Sequence, residues 1–434
     1  MIEDRLLRGG HYAAEVEPPE VYGARRSRLR ETLGKRSLAM LLGATDARGY
    51  GDVGTFRQEP NFYYLTGVEL PGAALLLDRE HEALLLPPRR PALEAWTGPK
   101  YGPGQDAARA LGFETVVSRD PGEIVVDARR RPVAGLEERV ADALRAGATL
   151  WVPLAGAAAG EPTAEQRLVG TLRDRLPSFV VRDLSPLLAD MRLCKGPGEV
   201  ALMRKAVAAT VAAIAGAAGR VRPGAGEAEV DGAAYAALRA AGAEGWSFPP
   251  IVGSGRAGCV LHYDANRGVL EDGELVVVDL GARHGYYCGD LTRTFPVSGR
   301  FTERQRRLYE AVLAAYDAAA ATLAPGSTIA AARKAAFAAL EGSSAAGDDG
   351  ATLGTFFIHG IGHFLGLEAH DVGGETPPLA PGMLVTIEPG VYLPGEGAGI
   401  RVEDDYLITE GGAENLSATL PRDADGIEAM LAQR

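Results

Sequence analysis

Three apolar stretches of this 434-residue chain end in a carboxylate: LVVVDLG at Asp279, LVTIEPG at Glu388 and GIRVEDD at Glu403. No other feature constrains the fold as much. Each stretch has the β-branched and aliphatic content of a buried strand. A carboxylate ending such a strand is costly to desolvate unless something offsets its charge. The first stretch runs on through GARHGYYCGD, a hairpin pattern. If His284 and Gly285 form the turn, Arg283 faces Tyr286 and Asp279 stands opposite Asp290. Opposed Cβ atoms in an antiparallel pair are about 5 Å apart, so like charges there call for a cation between them. The alternative is a different register with one aspartate solvated.

Histidine is concentrated in the same half. FFIHGIGHFLGLEAHD, residues 356–371, contains His359, His363 and His370, three of the chain's seven histidines. Asp279, Asp290, Glu388 and Glu403 with His363 make an oxygen-rich ligand set. Such a set suits Mn²⁺, Mg²⁺ or Co²⁺ better than a structural zinc. Four carboxylates exceed the needs of one divalent ion and match two. His262, His359 and His370 are then free to orient substrate and move protons. Singly, each residue has a plainer reading: His262 as a core imidazole, Arg401 as a surface cation, Glu403-Asp404-Asp405 as a solvated charge run.

The remaining sequence sets the frame. The length favours two domains, with a boundary placed at 184/185, just before the Ala-rich helix that follows Pro197 and Gly198. Residues 1–184 alternate strands such as SLAMLLGA with helices such as PVAGLEERVADALRAG, an α/β pattern. Residues 185–434 combine helices with strands separated by glycine turns, giving α+β architecture. GSGRAG, residues 253–258, fits a dinucleotide-binding pattern, but CVLHYDANRG follows it where three helical turns should stand. With 57 acidic and 45 basic residues the net charge is -12, which disfavours a nucleic-acid partner. No apolar run reads as long enough to span a membrane. Cys194, Cys259 and Cys288 have neither zinc spacing nor a disulfide framework, and MIEDRLLRGG lacks a signal-peptide core. A cytoplasmic protein is expected.

Taken together, RQEPNFYYLTG, MRLCKGPGEVALMRKA, IVGSGRAGCVLHYDAN, VVVDLGARHGYYCGDLTRTFPV, HGIGHFLGLEAHDVG, TIEPGVY and GIRVEDDYLIT resemble the Xaa-Pro aminopeptidases. These are the aminopeptidase P branch of the creatinase/methionine aminopeptidase-like "pita-bread" metallopeptidases. The resemblance spans nearly the whole chain. It implies a C-terminal pita-bread domain behind a smaller creatinase-type α/β domain that gates substrate and supports a homodimer or homotetramer. It implies two divalent ions, most often Mn²⁺ with Co²⁺ or Zn²⁺ as alternatives, on Asp279, Asp290, His363, Glu388 and Glu403. The implied reaction releases the first residue of a peptide with proline second, by attack of a metal-bridging hydroxide on the Xaa-Pro carbonyl. Glu388 is the expected base, with His370, His262, His359 and Arg401 on the substrate side. Asp52 is a candidate partner for Arg401, and Phe56, Phe62, Tyr63 and Tyr64 are either interface or core. An Xaa-Pro dipeptidase of the same fold and a non-catalytic peptide- or protein-binding module are the alternatives.

Overall fold

The structure, a computed structural model, describes residues 15–45, 56–120, 135–155, 162–176, 178–347, 350–374 and 377–433. The chain divides into two compact units, Met1–Met191 and Arg192–Arg434.

The first unit is built on a six-stranded mixed sheet. Its strands are β1 (Ser37–Leu42), β2 (Ala74–Leu77), β3 (Glu82–Leu86), β4 (Val116–Ser118), β5 (Thr149–Val152) and β6 (Val181–Asp183), in the order β4-β3-β2-β1-β5-β6. β2 and β3 are the hairpin that ALLLDREHEALLL suggests, antiparallel with Leu77 opposite Glu82. Helices Leu136–Arg145 and Ala164–Arg175 place Val140, Leu144, Val169 and Leu172 in a core with Met40, Leu42 and Leu150. The aromatic stretch forms helix Pro60–Thr66. Glu59 caps it by accepting the Phe62 amide, and Gly67 ends it at φ 63°. Phe56, Phe62, Tyr63 and Tyr64 are all buried, so they are core of this unit.

The second unit carries α1 (Pro197–Ala218), α2 (Glu227–Ala240), α3 (Glu303–Ala320) and α4 (Ile329–Glu341). These helices accompany small antiparallel sheets, the expected α+β arrangement. β7 (Ile251–Ser254), β8 (Leu275–Leu280) and β9 (Leu291–Pro296) form one sheet with β8 in the middle. β10 (Leu384–Ile387) pairs with β13 (Asp404–Thr409) and β11 (Gly390–Leu393) with β12 (Ala398–Arg401), while short strands at Gly245–Trp246, Ala282–His284, Tyr287–Cys288 and Gly412–Asn415 complete the sheets. One large core unites helices and sheets, with Val207, Ile214, Val278, Phe295, Tyr316 and Ile400 among its fully buried members. GSGRAG begins at the end of β7 and passes into a 3₁₀ turn, Gly255–Cys259. The helix that would cradle a pyrophosphate is therefore missing at that point.

Two expectations change. Helix α1 is, by length and composition, long and apolar enough to cross a membrane, where the expectation is that no run is. Alanine is mildly apolar, so its repetition makes the helix apolar along its length without a conspicuous Leu/Ile block. Val207, Ala209, Ala213, Ile214 and Ala217 on this helix pack into the core. The hairpin register also differs. Gly285 and Tyr286 both have positive φ, 57° and 73°, and form the two-residue turn, so His284 pairs with Tyr287. The Asp279 partner becomes Thr292 in place of Asp290. Asp290 lies two residues before Thr292, an interval that returns to the same face of a strand. Both acids therefore still reach one cavity.

Candidate metal centre

A cavity of about 580 Å³ opens in the second unit, lined by Asp279, Asp290, His363, Glu388 and Glu403 together with His262, His359, His370 and Arg401. Different elements deliver them. Asp279 is the penultimate residue of β8, and Glu388 sits in the break between β10 and β11. Glu403 lies between β12 and β13, its amide donating to Thr292 O at 3.1 Å. His363 runs alongside β10: its carbonyl accepts the Thr386 amide at 2.9 Å, and its own amide donates to Thr386 Oγ1 at 3.1 Å. Gly362 permits this approach, because a Cβ there would stand 2.0 Å from Thr386 O.

Ligand atoms of Asp290, His363 and Glu403 lie within 4.8 Å of one another, a spacing at which they can hold a metal ion. His363 Nδ1 is 3.1 Å from Phe364 O. A carbonyl only accepts, so Nδ1 carries the proton. The lone pair of Nε2 then faces Asp290 Oδ2 at 3.5 Å and Glu388 Oε1 at 3.7 Å. Lone pairs converging without a hydrogen between them repel unless a cation joins them. Asp279 Oδ1 is likewise buried with no hydrogen-bond partner among the described residues. Five carboxylates line the cavity, counting Asp264, against the single guanidinium of Arg401. The donor set fits a divalent-metal centre.

Electrostatics agree. Burial, then the Glu403 and Asp279 charges, holds Asp290 well above the usual carboxylate range. Burial followed by Glu388 and Asp279 does the same to Glu403. Glu388 is pushed up to about 8, chiefly by burial, with Arg401 pulling it down. His363 falls to about 4 through burial and the nearby His370, and His359 to about 4 through burial and Arg401. Both imidazoles are therefore neutral at physiological pH.

The remaining residues take places that composition did not reveal. Arg401 is 3% exposed and donates to Asp279 Oδ2 at 2.6 Å, Tyr392 OH at 2.7 Å and Thr292 Oγ1 at 3.2 Å. Its partner is thus Asp279; Asp52 lies outside the described residues. His359 has both ring nitrogens occupied. Nδ1 donates to Gly360 O at 2.7 Å, and Nε2 accepts from Tyr392 OH at 2.9 Å. His262 is an exposed residue at the cavity, which removes its reading as a core imidazole. His370 lines the cavity with its ring centroid 4.2 Å from that of His363. Glu403, Asp404 and Asp405 are 2%, 0% and 0% exposed, so the solvated-run reading fails. Sequence reasoning missed Tyr392, Thr292 and Asp405. Asp405 Oδ2 accepts the Asp290 amide at 3.0 Å and Thr292 donates to Glu403 Oε2 at 2.7 Å. The only trace of them in sequence is their nearness to a ligand.

Known proteins bear on both halves. Residues 201–410 match metallopeptidase family M24, and residues 22–123 match the aminopeptidase P N-terminal domain. The Xaa-Pro aminopeptidase of Escherichia coli (strain K12) is 32% identical over 94% of this chain and 96% of its own length. The mitochondrial intermediate cleaving peptidase 55 of Arabidopsis thaliana is 31% identical over 95% of this chain and 83% of its own. The solved structure of proline aminopeptidase P II from Yersinia pestis superposes with a TM-score of 0.83 at 31% identity, covering 96% of this chain and all of that one. Agreement of this extent, carried through both units and including the sheets that deliver the acids, shows that the chain belongs to the Xaa-Pro aminopeptidases of metallopeptidase family M24.

Proposed function

We propose that this metal-dependent exopeptidase removes the first residue from peptides of three or more residues with proline second, using two divalent ions, Mn²⁺ first among them. The observation that carries the proposal is the convergence of the Asp290, His363 and Glu403 ligand atoms beside a further pair of carboxylates, Asp279 and Glu388. Asp279, Asp290, His363, Glu388 and Glu403, which all line the cavity, would hold the two ions. Such a pair supplies an activated water and a Lewis acid for the scissile carbonyl.

The chain's own residues supply the rest. Glu388, lining the cavity beside His363 and ionised once the ions are bound, takes up the proton released during attack and passes it on. His370 and His262 donate hydrogen bonds to the negative charge that develops on the carbonyl oxygen. His359 has no nitrogen to offer, so it presents its ring to the proline. Proline suits such a contact because it lacks an amide hydrogen and holds φ fixed. Arg401 acts on Asp279, orienting it and limiting negative charge. The N-terminal unit serves as a size gate, and the assembly is a homo-oligomer, with a two-fold dimer the commonest closed form. Trp96, 72% exposed on that unit, is aromatic surface such an assembly would use. Cys194, Cys259 and Cys288, whose spacing offers no disulfide framework, support a reducing, cytoplasmic setting.

Turnover of Arg-Pro-Pro and longer Xaa-Pro peptides, set beside Gly-Pro, tests the reading. Cleavage of dipeptides alone would replace it with the dipeptidase. Tight peptide binding by metal-loaded protein without product would replace it with a binding module. Light scattering at assay concentration tests the assembly, and an active, strictly monomeric species would remove it.

A further inference from the structure

We infer that Arg192, Lys195 and Asp371 form a clamp that positions His370, so that the MRLCKGPGEV stretch serves the reaction without touching substrate. The inference rests on the role proposed for His370. That residue stands on an irregular segment, 365–371, without helix or strand, so no ladder of backbone bonds holds its imidazole in place. The segment is tied at a few points. Asp371 donates its amide to Phe364 O at 2.9 Å, and Gly366 O accepts the Cys288 amide at 2.9 Å.

The strongest tie is ionic. Asp371 Oδ1 accepts from Arg192 Nη2 at 2.5 Å, and Oδ2 lies 3.2 Å from Lys195 Nζ. The three side chains are 1%, 3% and 1% exposed for Asp371, Arg192 and Lys195. Arg192 also reaches Glu368 Oε2 at 3.1 Å, on the same segment. The cations are held firmly: the Lys195 amide donates to Gly382 O at 2.8 Å, and Gly196 then caps helix α1. Gly366 gives the clamp room, because a Cβ there would stand 2.0 Å from Asp371 Oδ2 and 3.0 Å from Lys195 Cε. Asp371 is the buried counter-charge shared by both cations, and Glu368, 46% exposed at the edge, offsets Arg192 further, which makes the burial tolerable. Asp371 is the residue next to His370, so fixing its carboxylate fixes the backbone on which the imidazole stands. Placement errors near 1 Å at such a group cost about a hundredfold in rate.

The test separates positioning from stability. Asp371→Asn leaves two buried cations short of charge and lowers both Tm and kcat, the latter about ten- to a hundredfold, with KM within about twofold and metal content retained. Lys195→Arg keeps the charge and most of kcat. The double variant Lys195→Met/Asp371→Leu removes a cation and a carboxylate together, so it regains Tm over the single change while kcat stays low. In zinc-loaded protein the His370 side-chain ¹⁵N resonance, assigned with His370→Ala, shifts in both Asp371 variants. Recovery of kcat along with Tm in the double variant, or an unmoved resonance, overturns the clamp. A shifted resonance with His370→Ala fully active supports the clamp and overturns the catalytic role given to His370.

Discussion

Glu403 and Asp404 are adjacent, both buried, and they face different regions of the second unit. Asp404 points into the core. Its Oδ1 accepts from Arg293 Nη2 and Ser417 Oγ, each at 2.7 Å, and its Oδ2 from Tyr316 OH at 2.5 Å and Asn415 Nδ2 at 3.2 Å. Arg293 spends its other hydrogens on the carbonyls of Pro421, Thr292, Glu403 and Leu420. Glu403 points into the cavity, where it has the Thr292 hydroxyl and the like charges of Glu388 and Asp279. One carboxylate is matched in charge and hydrogen bonds; its neighbour is not. A matched buried ion holds structure, whereas an unmatched group of ions holds its place only with something the chain itself does not contain.

That contrast can be broken or sharpened by experiment, beginning with the largest effect. Exhaustive chelation should lower turnover about 10⁴-fold, roughly 5 kcal/mol of barrier, and added Mn²⁺ should restore it. Peptide release followed beside elemental analysis checks this, and full activity in metal-free protein would erase the distinction between the two regions. On the matched side, Arg293→Met should cost about 3–5 kcal/mol of stability by denaturant unfolding, since Asp404 is left buried without its counter-charge.

On the unmatched side the sign should reverse. Asp290→Asn removes a charge that has no partner, so the metal-free protein should gain about 1–2 kcal/mol while losing metal affinity. Loss of metal-free stability in this variant would mean that Asp290 is matched after all. A pH series tests the same idea with the natural chain. Glu388 is raised from 4.5 to about 8 in the folded, metal-free state, so the stability it contributes is full below about pH 4.5 and is lost as pH rises through about 8. Bound ions require the ionised form, so the Tm gap between loaded and metal-free protein should widen over that window, with protons released on metal binding. A gap independent of pH would count against a proton-holding Glu388. The smallest effect belongs to Tyr392→Phe, which removes the hydroxyl between Arg401 and His359 and should lower kcat/KM about three- to tenfold. An unchanged value would leave that hydroxyl without a part in the site.

Sequence by itself determined a good deal. Apolar strands ending in Asp279, Glu388 and Glu403 announced buried charge, and their order with His363 and the quoted motifs matched a family whose fold the chain shares. The β2–β3 hairpin, several helices such as Leu136–Arg145 and α1 to α4, and the failure of GSGRAG as a nucleotide cradle were legible too, because periodicity and turn chemistry act over a few residues. What only tertiary structure decided depends on which surfaces meet. The hairpin register turned on Tyr286 accepting a positive φ, a cost that its burial at 2% exposure and packing decide, not its residue type. The partner of Arg401 proved to be Asp279, 122 residues away in sequence. VEDD and FYYL have the composition of a surface run and an interface, yet both are buried, since burial is set by what packs over a residue. His359 looked like a free imidazole until Tyr392 and Gly360 took both its nitrogens. A hydrogen bond is a property of two residues, and sequence order names only one of them.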